Sequence, residues 1–267
     1  MINQNLQKIF QDLWEDYIAF NPHAKRVYDC FVKKGENLIV DHIALRTFDD
    51  PKVNIDALAK AFVKEGYELK GQYHFEEKKL FALHFEHSDP QAPKIFISEL
   101  IQAKFSKPFQ NLIKKLLDQV PKDISEKKNF SCCGRPWQVS YQDYEILRKE
   151  SEYAAWVSAF GFRPNHFTVS VNFLKNFSTV QQVNDFLKSK GFRLNTSGGE
   201  IKGSKKVFLE QSSTVAEEVK VSFSDGIYSI PACYYEFSKR YPLPDGKLYQ
   251  GFVEGSADKI FESTDRG

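Results

Sequence analysis

The chain has 267 residues, 42% hydrophobic and 15% aromatic, enough for a sizeable core and too apolar for a disordered chain. Its 37 basic and 35 acidic residues are interspersed and leave a formal charge of +2, so no basic face marks a nucleic-acid binder. No run approaches the ~20 apolar residues of a membrane span. The N-terminus lacks the order of a secretory signal, and four cysteines without C-x-x-C spacing read as reduced thiols of a cytoplasmic protein.

Within residues 4–33, Leu6, Ile9, Phe10, Leu13, Trp14, Tyr17 and Ile18 recur at helical spacing, Asn21-Pro22 breaks the pattern, and a second helical piece follows from Ala24 to Lys33. This N-terminal helical segment, 1–35, precedes a first module at 36–101. The module opens on Val40-Asp41-His42-Ile43-Ala44-Leu45-Arg46. Read as a strand, it puts His42 and Arg46 on one face with Val40 and Ala44, and Asp41 on the other with Ile39, Ile43 and Leu45. Four residues at about 3.3 Å each separate the His42 and Arg46 Cα atoms by roughly 13 Å. A small dianion spans that gap when both side chains lean inward. A helix over Val53–Lys64 ends at Gly66, and strand-like runs follow, among them Leu80–His87, where His84 and Glu86 share a face, and Ile95–Leu100, which carries Glu99.

Residues 102–160 read as a helical insertion, with periodic Phe109, Leu112, Ile113, Leu116 and Leu117, then Tyr144, Leu147, Tyr153, Trp156 and Phe160. A second module at 161–240 repeats the first, leaving 241–267 as a C-terminal extension. Asn165-His166-Phe167-Thr168-Val169-Ser170-Val171 matches the opening strand, Val180–Lys190 the helix, Gly191-Phe192-Arg193-Leu194 the Gly-aromatic-x-Leu continuation, and Cys233–Phe237, with Glu236, the closing strand. Histidine and glycine lie 24 residues apart in one copy and 25 in the other. Shared order at matched spacing is an internal repeat. In the second copy Thr168, Ser170 and Asn172 continue the face of His166, a small polar surface suited to lining a cavity. Ser197-Gly198-Gly199-Glu200-Ile201-Lys202-Gly203-Ser204 lacks P-loop order and reads as a hairpin or ligand-covering loop. Glu218–Phe223 alternates as a strand that Asp225-Gly226 turns.

If the modules pair side by side, the two histidines and a glutamate from a closing strand converge. Two neutral imidazoles and one carboxylate form the facial triad that suits non-haem Fe(II), and Zn²⁺ tolerates the same donors. Glu99 and Glu236 are both candidates for the carboxylate. No nucleophile elbow, H-E-x-x-H or dinucleotide fingerprint is present.

The paired modules resemble the vicinal oxygen chelate superfamily, an α+β fold whose βαβββ units pair into a metal cup. More narrowly, V-D-H-I-A-L-R-T-F, N-H-F-T-V-S-V-N, S-G-G-E-I-K-G-S, L-E-Q-S-S-T and Y-Y-E-F-S-K-R resemble the 2-oxoadipate dioxygenase/decarboxylase family. The resemblance implies a mononuclear Fe(II) centre, with Zn, Ni or Mn as surrogates, held by His42, His166 and Glu236. It implies a catalytic, substrate-binding Arg46, 2-oxoadipate and O₂ as substrates, and 2-hydroxyglutarate and CO₂ as products. Ser170 and Ser204 are further substrate-binding candidates, and Glu99, His84 and Thr168 are candidates for the shell around the ligands. Two other classes fit the same scaffold: a Zn- or Mn-dependent isomerase, lyase or hydrolase, and a non-catalytic binding protein for a small acid. The sequence fixes no oligomeric state.

Overall fold

In the computed structural model, which describes residues 2–264, two helices lead the chain: α1 (Gln4–Phe20) and α2 (Pro22–Lys33). Asn3 caps the first through its side chain, and Pro22 starts the second at the position where a missing N–H costs nothing. The first module follows as β1 (Val40–Phe48), α3 (Ile55–Lys64), β2 (Tyr67–Phe75), β3 (Leu80–His87) and β4 (Lys94–Leu100). The insertion holds α4 (Lys107–Leu117), α5 (Tyr141–Glu150) and α6 (Glu152–Phe160). The second module is β5 (Pro164–Ser170), α7 (Val180–Ser189), β6 (Lys202–Ser204), β7 (Leu209–Ser213), a hairpin of β8 (Glu218–Phe223) and β9 (Gly226–Pro231), and β10 (Tyr234–Arg240). Helix α8 (Glu254–Phe261) comes last.

The main sheet has eight strands in the order β2-β3-β4-β1-β5-β10-β7-β6. Each half is the mirror of the other in strand order. β1 pairs parallel with β4, which pairs antiparallel with β3, and β5, β10 and β7 repeat those relations. β1 and β5 meet antiparallel at the seam. The chain is therefore a pair of βαβββ modules in one curled sheet. Gly66 and Gly191, at φ +97° and +81°, each close a helix in the left-handed conformation expected of that place.

The copies differ after that glycine. In the first, the chain runs straight into nine-residue β2, whereas in the second it loops through Gly198 and Gly199 and leaves only the three-residue β6. The β8–β9 hairpin forms its own small sheet and packs on α5, with Tyr228 stacked on Tyr141 at 3.9 Å.

One sheet face is covered by helices. Trp14 and Tyr17 of α1 pack on Phe167 of β5 and Tyr235 of β10, and Phe31 of α2 packs on Phe237. Alternation sends the next residues, His42, His166, Thr168 and Glu236, to the opposite face, where Phe252 of the segment before α8 packs on His42 and α6 and α8 close over Arg46. None of the four cysteines is in a disulfide, and no helix among the described residues is long and apolar enough to cross a membrane.

Candidate metal centre

His42 and His166 arrive from the two central strands, and Glu236 from β10, one strand further on and directly beside Thr168. All three side chains are buried, and one donor atom of each lies within 4.8 Å of the others. His166 Nε2 is 3.2 Å from Glu236 Oε2, and His42 Nε2 is 3.8 Å from Oε1. The imidazoles stand nearly perpendicular, 5.5 Å between centroids.

Each ring is held from behind. His42 Nδ1 is 2.8 Å from Asp41 Oδ1, and His166 Nδ1 is 3.0 Å from Asn165 Oδ1, so both Nε2 atoms face the cup. Asp41 is gripped by Arg240 through Nε at 2.7 Å and Nη2 at 2.8 Å. Burial acts to raise the Asp41 carboxyl, but the Arg240 guanidinium and the hydrogen bonds from His42 and Arg240 outweigh it and hold Asp41 well below the usual carboxylate range. Burial lowers both histidines, His166 well below its ordinary value, keeping them as the neutral imidazoles a metal requires. Burial likewise pushes Glu236 up to about 8 against a 2.6 Å hydrogen bond from Gln211 Nε2 to Oε1. Its other oxygen, Oε2, is buried without a hydrogen-bond partner. A divalent cation between these donors would neutralise that carboxylate and satisfy the orphaned oxygen, so the residues fit a metal.

Arg46 lies on the same face toward the other end of β1, 2% exposed. Its guanidinium is walled by the rings of Tyr153, Trp156 and Phe261 at 5.0–5.4 Å, and Nε and Nη2 have no hydrogen-bond partner. A buried cation without an acidic partner is costly. It is placed to receive an anion. A cavity of about 300 Å³, bordered by Arg46, Tyr153 and Phe261, opens at this end.

Thr168 joins the cluster, its hydroxyl 3.0 Å from His42 Nε2. Ser170 is buried on the same strand but lies at the opposite end from Arg46, beside Asp41 and Arg240 in a second cavity. Ser204 ends on the edge strand β6, two strands beyond Glu236 and partly exposed. His84 is engaged elsewhere: Nδ1 is 2.8 Å from the Tyr73 hydroxyl and Nε2 is 2.9 Å from Glu86, and Phe252 packs against both His84 and His42. Glu99 is outside the cluster. His42 and Ala44 pair with Lys94 and Phe96 where His166 and Thr168 pair with Tyr234 and Glu236, so the counterpart of Glu236 is Phe96. Glu99 faces the helical side and accepts a hydrogen bond from the Ile55 backbone N–H at the start of α3.

Strict alternation aims Asp41 at the helices. A register shift between Val40 and His42 turns its carboxylate to His42 instead. Sequence reasoning missed Arg240, Gln211, Tyr234 and Phe252; of these, Tyr234 and Arg240 already stood in the Y-Y-E-F-S-K-R motif and Gln211 in L-E-Q-S-S-T.

The paired βαβββ modules form a sheet of vicinal-oxygen-chelate type whose cup gathers two histidines and a glutamate, a donor set compatible with a metal ion. The family model for 2-oxoadipate dioxygenase/decarboxylase matches residues 5–133 and 131–247, and the chain belongs to that family. It is 36% identical over 93% of its length to the chloroplastic 2-oxoadipate dioxygenase/decarboxylase of Arabidopsis thaliana, covering 74% of that protein. A crystal structure of hydroxyglutarate synthase from Oryza sativa in complex with 2-oxoadipate superposes at TM-score 0.89 and 34% identity, covering 96% of this chain and 91% of that one. A Shewanella frigidimarina structure, provisionally described as a hydrolase, superposes at 0.90 with 50% identity, covering 95% of this chain and all of that one.

Proposed function

We propose that this chain converts 2-oxoadipate and O₂ to 2-hydroxyglutarate and CO₂ at an Fe(II) centre held by His42, His166 and Glu236. The observation that carries the reading is the buried, unpaired Arg46 guanidinium on the same face as the three donors. Family membership supports the reaction, and the two-imidazole, one-carboxylate set supports iron.

His42, His166 and Glu236 would hold a ferrous ion, which would supply Lewis acidity toward the 2-oxo acid and electrons for O₂. The protein's own part is orientation and exclusion of water. Arg46 holds the distal carboxylate through a planar fork fixed in charge and geometry. Asp41 and Asn165 hold the two imidazoles with Nε2 inward, and Gln211 fixes one oxygen of Glu236. Phe252, its ring perpendicular to His42 at 4.8 Å, closes the cup beside that imidazole and keeps water out.

The test is anaerobic loading with Fe(II) followed by O₂ and 2-oxoadipate. One O₂ consumed and one CO₂ released per 2-hydroxyglutarate formed is expected. Turnover without O₂, as a hydrolase or isomerase would show, refutes the reading.

A further inference from the structure

Tyr234 is fully buried on β10, two residues before Glu236 and on the same face. It pairs with His166 across the sheet, and its ring stacks on that imidazole at 4.5 Å between centroids and 25° between planes. The Tyr17 hydroxyl donates to its carbonyl and ties the backbone to α1. Phenylalanine would provide all of this packing. What tyrosine adds is a hydroxyl, and that hydroxyl is buried without a hydrogen-bond partner.

The other aromatic groups beside Arg46 have their polar atoms satisfied. Trp156 Nε1 donates to the Ala232 carbonyl at 2.6 Å, and the Tyr153 hydroxyl donates to the Ser98 carbonyl at 2.6 Å. Tyr234 differs. Its hydroxyl lies close to the Arg46 guanidinium, and its ring lies against the His166 imidazole. Arg46 Nε and Nη2, the Tyr234 hydroxyl and Glu236 Oε2 are all unpaired and share this one enclosed face. Buried polar groups rarely go unpaired unless something absent completes them.

We propose that the Tyr234 hydroxyl is a second donor, beside Arg46, to the distal carboxylate of a 2-oxo dicarboxylic acid, and that it helps the site prefer that acid over a monocarboxylic one. The proposal rests on the reading of Arg46 given above. A carboxylate offers about four acceptor positions, and one edge of a guanidinium fills two. A neutral O–H beside that edge supplies a third bond and adds no charge to the cup.

The experiment measures binding to Tyr234→Phe and wild-type protein, first of Co(II) alone, then of two acids added to the Co(II)-loaded proteins. The acids are 2-oxoadipate and 2-oxohexanoate, equal in chain length but differing in the distal carboxylate. The expected result is Co(II) affinity within about twofold of wild type, 2-oxoadipate weakened roughly tenfold or more, as for loss of a bond to a charged group, and 2-oxohexanoate unmoved. In an Arg46→Ala background the same substitution should cost much less, because the two donors share one target. Equal loss for both acids, which a structural or metal-shell role would give, overturns the proposal, as does no loss for either. Failure of the underlying reading is separately visible: wild-type protein would then bind the two acids equally well.

Discussion

Replacing Arg240 with leucine tests how the centre is held. Asp41 and Arg240 side chains are 4% and 3% exposed and meet through two short contacts, while Arg240 Nη1 also donates to the carbonyls of Tyr249 and Gly251. Removing one partner of so buried a pair leaves a carboxylate uncompensated, at a cost of about 3–5 kcal/mol. For a chain of this size that lowers Tm by about 6–20 °C. The pH dependence should also change sign. In the wild type Asp41 is held well below its ordinary value, so its contribution is present above the unfolded pKa and is lost only as pH falls through the lower folded value. Without Arg240, burial dominates and lifts the carboxyl above its unfolded value, so this contribution declines as pH rises through the folded value. Denaturant midpoints of the metal-free proteins read both effects, below about pH 4 for the wild type and above it for the variant. Asp41→Asn in the Arg240→Leu background should restore much of the loss. A single substitution costing under about 1 kcal/mol, or a double variant no more stable than the single, would refute the reasoning.

Glu236 sits at about 8 in the metal-free protein, so near pH 6.5 a divalent ion must displace its proton; calorimetry in buffers of different ionisation enthalpy should show roughly one proton released per ion from this group. A proton count that stays near zero would mean the carboxylate is already ionised. Arg46→Ala should leave Co(II) affinity nearly intact while lowering kcat/KM for 2-oxoadipate by roughly ten- to more than a hundredfold, with partial rescue by Arg46→Lys. A monocarboxylic 2-oxo acid should be much less affected, and equal losses would return Arg46 to a structural role. Glu99→Gln should keep one metal site per chain at wild-type affinity and cost no more than about 1 kcal/mol at the start of α3, measured by metal titration and thermal melts.

The duplication was legible because the histidine-to-glycine spacing survives in both copies and the helices between obey the same apolar period. The convergence of His42, His166 and Glu236 was legible once strand parity was combined with family resemblance. Glu99 shows where that reasoning slips: its place near the end of a matching strand suggested equivalence to Glu236, but equivalence is set by register against the opening strand, which a single sequence does not display. Asp41 was assigned to the wrong side because a bulge breaks alternation at that residue. Its partner Arg240 lies 199 positions away, a separation across which no local pattern extends. Phe252 belongs to a stretch without strong periodicity, and only the closure of the chain over the sheet gives it a role.

Phe96 occupies the place that Glu236 fills in the other half, with Tyr73 and Phe252 against it. Two identical halves would ring an ion with four protein donors, two from each side. Here one half offers an imidazole alone and the other an imidazole and a carboxylate. The missing arm leaves an apolar flank of Phe96, Tyr73 and Phe252 where a fourth donor would otherwise stand. A symmetric pair would make a cage; this asymmetric pair makes a socket.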